Sequence, residues 1–110
     1  MSERLTVTEL NSRVKELFST TEWARDIWVV GEISNFKMYT SGHCYFTIKD
    51  NGSEIRAVMF KSARSRIDFN PSDSLKIEAY GHLDMYVERG SYQFIVESMK
   101  RSGIGDLYPK

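Results

Sequence analysis

The chain has 110 residues, 41% of them hydrophobic and 13% aromatic, which fits one folded domain and excludes a disordered segment. Fifteen basic and fifteen acidic residues cancel, so bulk charge requires no polyanionic partner, and the single cysteine, Cys44, excludes an internal disulfide or a cysteine-rich zinc site. No run approaches the roughly 18 apolar residues of a membrane span and no signal peptide is visible, so a cytoplasmic location with no membrane contact follows by default.

Thr6-Val7-Thr8-Glu9 has the form of a capping box, in which a threonine hydroxyl and a glutamate three residues on satisfy free amides. Val7, Leu10, Val14 and Leu17 follow at helical spacing, with Phe18 beside them. A helix is expected over residues 7–19, its stripe packed on a sheet or a neighbouring domain. Residues 20–26 read as a connection anchored by Trp23.

Three alternating runs then read as antiparallel strands, at residues 28–33, 43–49 and 54–60. The first sends Val29, Gly31 and Ile33 to one face, and Gly31 signals a bulge or sharp bend. Residues 34–42 are expected to be a loop carrying Phe36, Lys37 and Tyr39. The second run places Cys44, Phe46 and Ile48 inward, with His43, Tyr45 and Thr47 outward. Asp50-Asn51-Gly52-Ser53 is turn chemistry, with Asn and Gly suited to positive φ. The third run sends Ile55, Ala57 and Met59 inward, and Arg56, Val58 and Phe60 outward.

A short basic helix is expected over residues 61–67, followed by a turn at Asn70-Pro71-Ser72-Asp73. A fourth strand spans residues 75–83 and a fifth residues 92–99, joined by a hairpin tip with Tyr86, Arg89 and Gly90. The barrel thus occupies residues 27–100, and an exit linker covers 101–110. Five strands with a helix between the third and fourth fit a five-stranded OB-fold barrel, all-β with flanking helices. An SH3-like barrel has no natural place for the helix at 61–67.

Charge distribution adds what net charge hides. Lys37, Lys49, Arg56, Lys61, Arg64 and Arg66 face only Asp50 and Glu54 within residues 37–66, a net +4 between two flanks of −2 each. A local basic island marks an anion-binding face. Single-stranded nucleic acid is held by a positive groove with aromatic stacking platforms. The outer face of strands two and three offers Tyr45, Arg56, Phe60 and Lys61, and the loops add Phe36, Lys37, Tyr39, Tyr86 and Arg89. Phe60 carries a rival expectation, burial under the N-terminal helix.

No catalytic arrangement emerges. His43 and His82 lie on different strands, and Cys44, next to His43, points to the opposite face. The carboxylates show no metal-ligand spacing and no glycine-rich phosphate loop is present, so no catalytic residue, metal or cofactor is expected.

The strings VVGEISNF, SGHCYFTIKD and IRAVMFK, then the stretch from GSYQFIVESM to GIGDLY, resemble the N-terminal region of the exodeoxyribonuclease VII large-subunit family. The opening LTVTELNSRVKELF is similar to that family's first helix, and the resemblance spans residues 5–108. It implies an OB-fold at the front of a longer nuclease that degrades single-stranded DNA and pairs with a small helical subunit. The chain then reads as a fragment that is not itself an enzyme and presents single-stranded DNA to a nuclease domain downstream. Phe60 with Lys61 carries over as a DNA contact, as do Tyr45, His43 and Asn35-Phe36. Asp73 departs from the glycine common in that turn. The alternative is a protein-interaction module that docks the small subunit or another large subunit.

Overall fold

The computed structural model describes residues 2–102, so the exit linker lies almost wholly outside the described residues. Helix α1 spans Val7–Thr20, followed by a 3-10 turn at Glu22–Arg25. The strands are β1 Ile27–Met38, β2 Cys44–Lys49, β3 Glu54–Met59, β4 Lys76–Tyr86 and β5 Ser91–Arg101, with α2 at Lys61–Arg64. They close into one barrel in the order β1-β2-β3-β5-β4. All neighbours are antiparallel except β3 and β5, which run parallel. This is the expected OB-fold, with its short helix between β3 and β4.

The alternation predicted for the strands fills the barrel. Ile33, Cys44, Phe46, Ile48, Ala57 and Met59 are buried from the first three strands, and Ile77, Ala79, Phe94, Val96 and Met99 from the last two. Each fully buried large aliphatic or aromatic side chain contributes about 1.5–3 kcal/mol.

The capping box forms as expected: the Thr6 amide donates to Glu9 Oε1 at 2.8 Å, and the Glu9 amide to Thr6 Oγ1 at 3.1 Å. Helix α1 lies beside the β4–β5 hairpin. Asn11 Nδ2 donates to the Val87 carbonyl at 3.0 Å, Lys15 Nζ lies 2.7 Å from Asp84 Oδ1, and the Phe18 and Tyr92 rings meet at 6.0 Å. The helix buries none of its residues, and Val7, Leu10 and Leu17 stay exposed.

Four local expectations are corrected. Trp23 is exposed, because the 3-10 turn directs Ala24 inward in its place. The loop at 34–42 is mostly strand: β1 runs on to Met38 through a register shift between Ser34 and Lys37. Asn35 makes that shift in the left-handed region, φ 53°, which asparagine tolerates. The turn after β2 needs no positive φ; Asp50 Oδ1 accepts the amides of Gly52 and Ser53 at 2.8 and 2.9 Å instead. The basic helix stops at Arg64, one turn long, and its N-cap residue Phe60 supplies no side-chain cap.

Gly31 answers a close approach of strands. A Cβ there would sit 2.7 Å from Ile48 Cγ2 and 2.8 Å from the Lys49 carbonyl oxygen. The β4 irregularity lies between Tyr80 and Gly81, where a Cβ would collide with the Ile95 carbonyl oxygen.

Candidate nucleic-acid interface

The β2–β3 ladder pairs Tyr45 with Val58 and Thr47 with Arg56. One step further along the same face, the His43 and Phe60 rings meet edge-on, centroids 5.3 Å apart at 86°. These three rows form the outward face read from the sequence, with one change. Val58 is only 4% exposed, because β5 arrives in parallel and sets Ile95 beside it. It is floor rather than rim.

A groove of about 450 Å³ crosses this face. Asn35, Lys37 and Tyr39 border it from β1 and the turn that follows. Tyr45, Thr47 and Arg56 line it from β2 and β3, Tyr86 and Gln93 from β4 and β5. The Tyr39 and Tyr45 rings lie 5.3 Å apart at 56°. Three tyrosines and two cations thus share a groove that no carboxylate lines. Neither Lys37 nor Arg56 is spent on an ion pair among the described residues. Such a groove suits a flexible polyanion with flat faces.

Phe60 is 44% exposed, so α1 does not bury it. It opens on a second depression of about 340 Å³, which Arg66, His82, Asp84 and Glu97 also line. Gln93 borders both depressions. His82 Nδ1 lies 2.6 Å from Glu97 Oε2, so one carboxylate there is already partnered. Lys61 follows Phe60, and its aliphatic stem lies against Gly42, where a Cβ would come within 2.9 Å of Lys61 Cγ.

Two residues expected at the surface are placed elsewhere. The Asn35 bulge turns Phe36 toward the core, its ring 5.6 Å from that of Phe46. Asp73 holds this arrangement, accepting the Phe36 amide at 2.8 Å, while Ser74 takes the positive φ of 73°. Arg89 sits in the β4–β5 turn, its amide on the Tyr86 carbonyl at 3.1 Å, and does not line the groove. Thr47 and Gln93 were not singled out as site residues from the sequence. Alternation on β2 places Thr47, whereas Gln93 is brought in only by barrel closure.

A larger cleft, about 550 Å³, separates α1 from β4. No Phe, Tyr or Trp lines it, and its Lys15 and Asp84 neutralise each other, so the smaller groove is the better anion site. Burial pushes the Cys44 thiol up, Arg64 pulling weakly the other way, which keeps it protonated and inert. Among the described residues no cluster of three His, Cys, Asp or Glu side chains is placed to hold a metal ion, and no helix is long and apolar enough to cross a membrane.

A family model described as "OB-fold nucleic acid binding domain" matches residues 5–100. The chain is 43% identical over 107 residues to the exodeoxyribonuclease 7 large subunit of Halothermothrix orenii, covering 97% of this chain and 26% of that one. It is 46% identical over 104 residues to the subunit of the same name from Clostridium botulinum (strain Hall), covering 94% and 26%. It thus spans about a quarter of the length of these curated relatives. Among solved structures, one of a Replication Protein A heterotrimer bound to ssDNA matches with a TM-score of 0.59 at 12% identity, covering 76% of this chain and 62% of that chain. The S. pombe Stn1-Ten1 complex gives 0.59 at 22% identity, covering 74% and 61%. At such identities the likeness is one of fold.

Proposed function

The chain belongs to the family of OB-fold nucleic acid binding domains, and from that membership we propose that its groove holds single-stranded DNA for a nuclease domain elsewhere in a longer polypeptide. The observation that carries this is the lining: Tyr39, Tyr45 and Tyr86 with Lys37 and Arg56, and no carboxylate. Phe60 and Lys61 extend the surface at one end. Stacking on each ring contributes about 1–3 kcal/mol and works on any base, so binding is indifferent to sequence. A duplex hides the base faces and is excluded.

The nuclease context rests on similarity to exodeoxyribonuclease 7 large subunits over nearly the whole chain. In this reading the domain is the substrate-holding quarter of such a subunit, acts in the cytoplasm, and meets the small subunit through the longer chain. One observation favours protein docking as a second reading: α1 leaves Val7, Leu10 and Leu17 exposed on one face.

A salt titration separates the two. Fluorescence anisotropy with a labelled oligo-dT strand should give a log–log slope of about −0.7 per phosphate neutralised. Arg56→Ala should flatten that slope by roughly 0.7, and a blunt duplex should bind more weakly. Salt-indifferent binding, or equal affinity for the duplex, would overturn the DNA-binding reading.

A further inference from the structure

His43 stands between the two ends of the proposed surface, and its hydrogen bonding is specific. The Lys61 amide donates to His43 Nδ1 at 2.9 Å. An amide only donates, so Nδ1 carries a lone pair and the proton of the neutral ring sits on Nε2. Lys61 is the first residue of α2, where amides have no partner within the helix. Phe60, at the N-cap, offers no side-chain acceptor. His43 supplies one from across the sheet.

The same imidazole meets Phe60 edge-on at 5.3 Å. Its backbone carbonyl accepts the Tyr39 amide at 3.0 Å, closing the β1–β2 turn. Gly42, at φ 93°, completes that turn and lets the Lys61 stem pass against it. The Tyr39–Tyr45 pair belongs to one hairpin and Phe60–Lys61 to the end of another. His43 is bonded to both.

We infer that His43 is a positioning residue of the nucleic-acid surface: as the neutral Nε2–H imidazole it fixes Phe60 and Lys61 relative to the Tyr39–Tyr45 pair. This rests on the reading of the groove as a single-strand site. His43 acts through the hydrogen bond it accepts, not through charge. A protonated or substituted ring that cannot accept at Nδ1 releases the Lys61 amide and frees the Phe60 platform to turn.

Three substitutions separate acceptor, ring and charge. In His43→Asn the amide oxygen takes the place of Nδ1. His43→Phe keeps a ring edge on Phe60 without an acceptor, and His43→Lys adds a permanent charge without one. With an oligo-dT strand at fixed salt, His43→Asn should bind within about twofold of the parent, while His43→Phe and His43→Lys weaken roughly tenfold, the scale of one lost hydrogen bond. Nitrogen-15 spectra of the imidazole should place the parent's proton on Nε2. Exchange of the Lys61 amide should quicken in the Phe and Lys variants and not in Asn.

An Nδ1–H tautomer, His43→Lys binding as well as the parent, or His43→Asn as weak as His43→Phe would each overturn the assignment. Tyr45→Ala and Phe60→Ala, measured alongside, locate the failure. If both bind like the parent, the groove reading falls and the positioning role with it. If both weaken while His43→Phe does not, only the positioning role falls.

Discussion

Phe60→Ala removes a ring that the fold uses only in part. A fully buried phenylalanine lost to alanine costs about 3–5 kcal/mol. Phe60 is 44% exposed, and its recorded ring contact is the edge-on meeting with His43. Roughly half the burial at stake, and no sealed cavity left behind, scales that cost to about 1–2 kcal/mol. For a domain of this size the melting midpoint should then drop by about 4–8 °C. The binding loss has a different origin. One stacked base contributes about 1–3 kcal/mol, so the dissociation constant should rise about 5- to 150-fold. Anisotropy with oligo-dT at 20 °C, well below the melting midpoint, reads the second effect free of the first. Phe60→Trp offers a larger face and should retain or tighten binding. The reasoning is refuted if Phe60→Ala binds like the parent, or if it unfolds as a core substitution would and loses affinity only in step with unfolding.

Three further outcomes follow from the same geometry. Gly81→Ala drives a Cβ into the Ile95 carbonyl oxygen and should destabilise the barrel by about 3 kcal/mol or more in urea, while Gly52→Ala, with only Asp50 Oδ1 nearby at 4.0 Å, should stay within about 0.5 kcal/mol. The Cys44 thiol, pushed up by burial, keeps its proton where the unfolded thiol has lost it; stability should therefore fall as pH rises above about 8.5, and Cys44→Ala should lessen that fall. Labelled oligo-dT incubated with the domain and magnesium or manganese should remain intact by gel, and metal-dependent shortening abolished by a point change in this chain would refute the division between holding and cutting.

The inward faces of β2 and β3 were legible because alternation is a property of the hairpin itself. Cys44, Phe46, Ile48, Ala57 and Met59 lie where period two puts them. Val58 was misread as rim because its cover, Ile95, comes from a strand far along the chain. Phe36 was misread for a local reason. The extra residue at Asn35 shifts the phase of alternation, and nothing in the letters Ser-Asn-Phe announces it. At the groove, residue types and loop positions named Lys37, Tyr39, Tyr45, Arg56 and Tyr86, since an OB-fold places those loops over that face. Gln93 required the barrel to close before it had a neighbour. The Lys61–His43 bond required coordinates, since a histidine followed far later by a lysine carries no signal of which nitrogen accepts.

The barrel is sealed by one short clasp. Ala57 pairs with Phe94 and Val58 with Ile95, and the parallel ladder ends there, whereas every antiparallel neighbour shares five or more pairs. Local opening takes the route with the fewest shared bonds, so this clasp parts before any hairpin does. Val58 and Gln93, one from each side of the clasp, both line the groove. On the proposed reading, a single strand of DNA lying across them would act as a latch, because a ligand that binds only the closed form suppresses opening by mass action. Occupancy would then be recorded in the slowed solvent exchange of backbone amides beneath the groove.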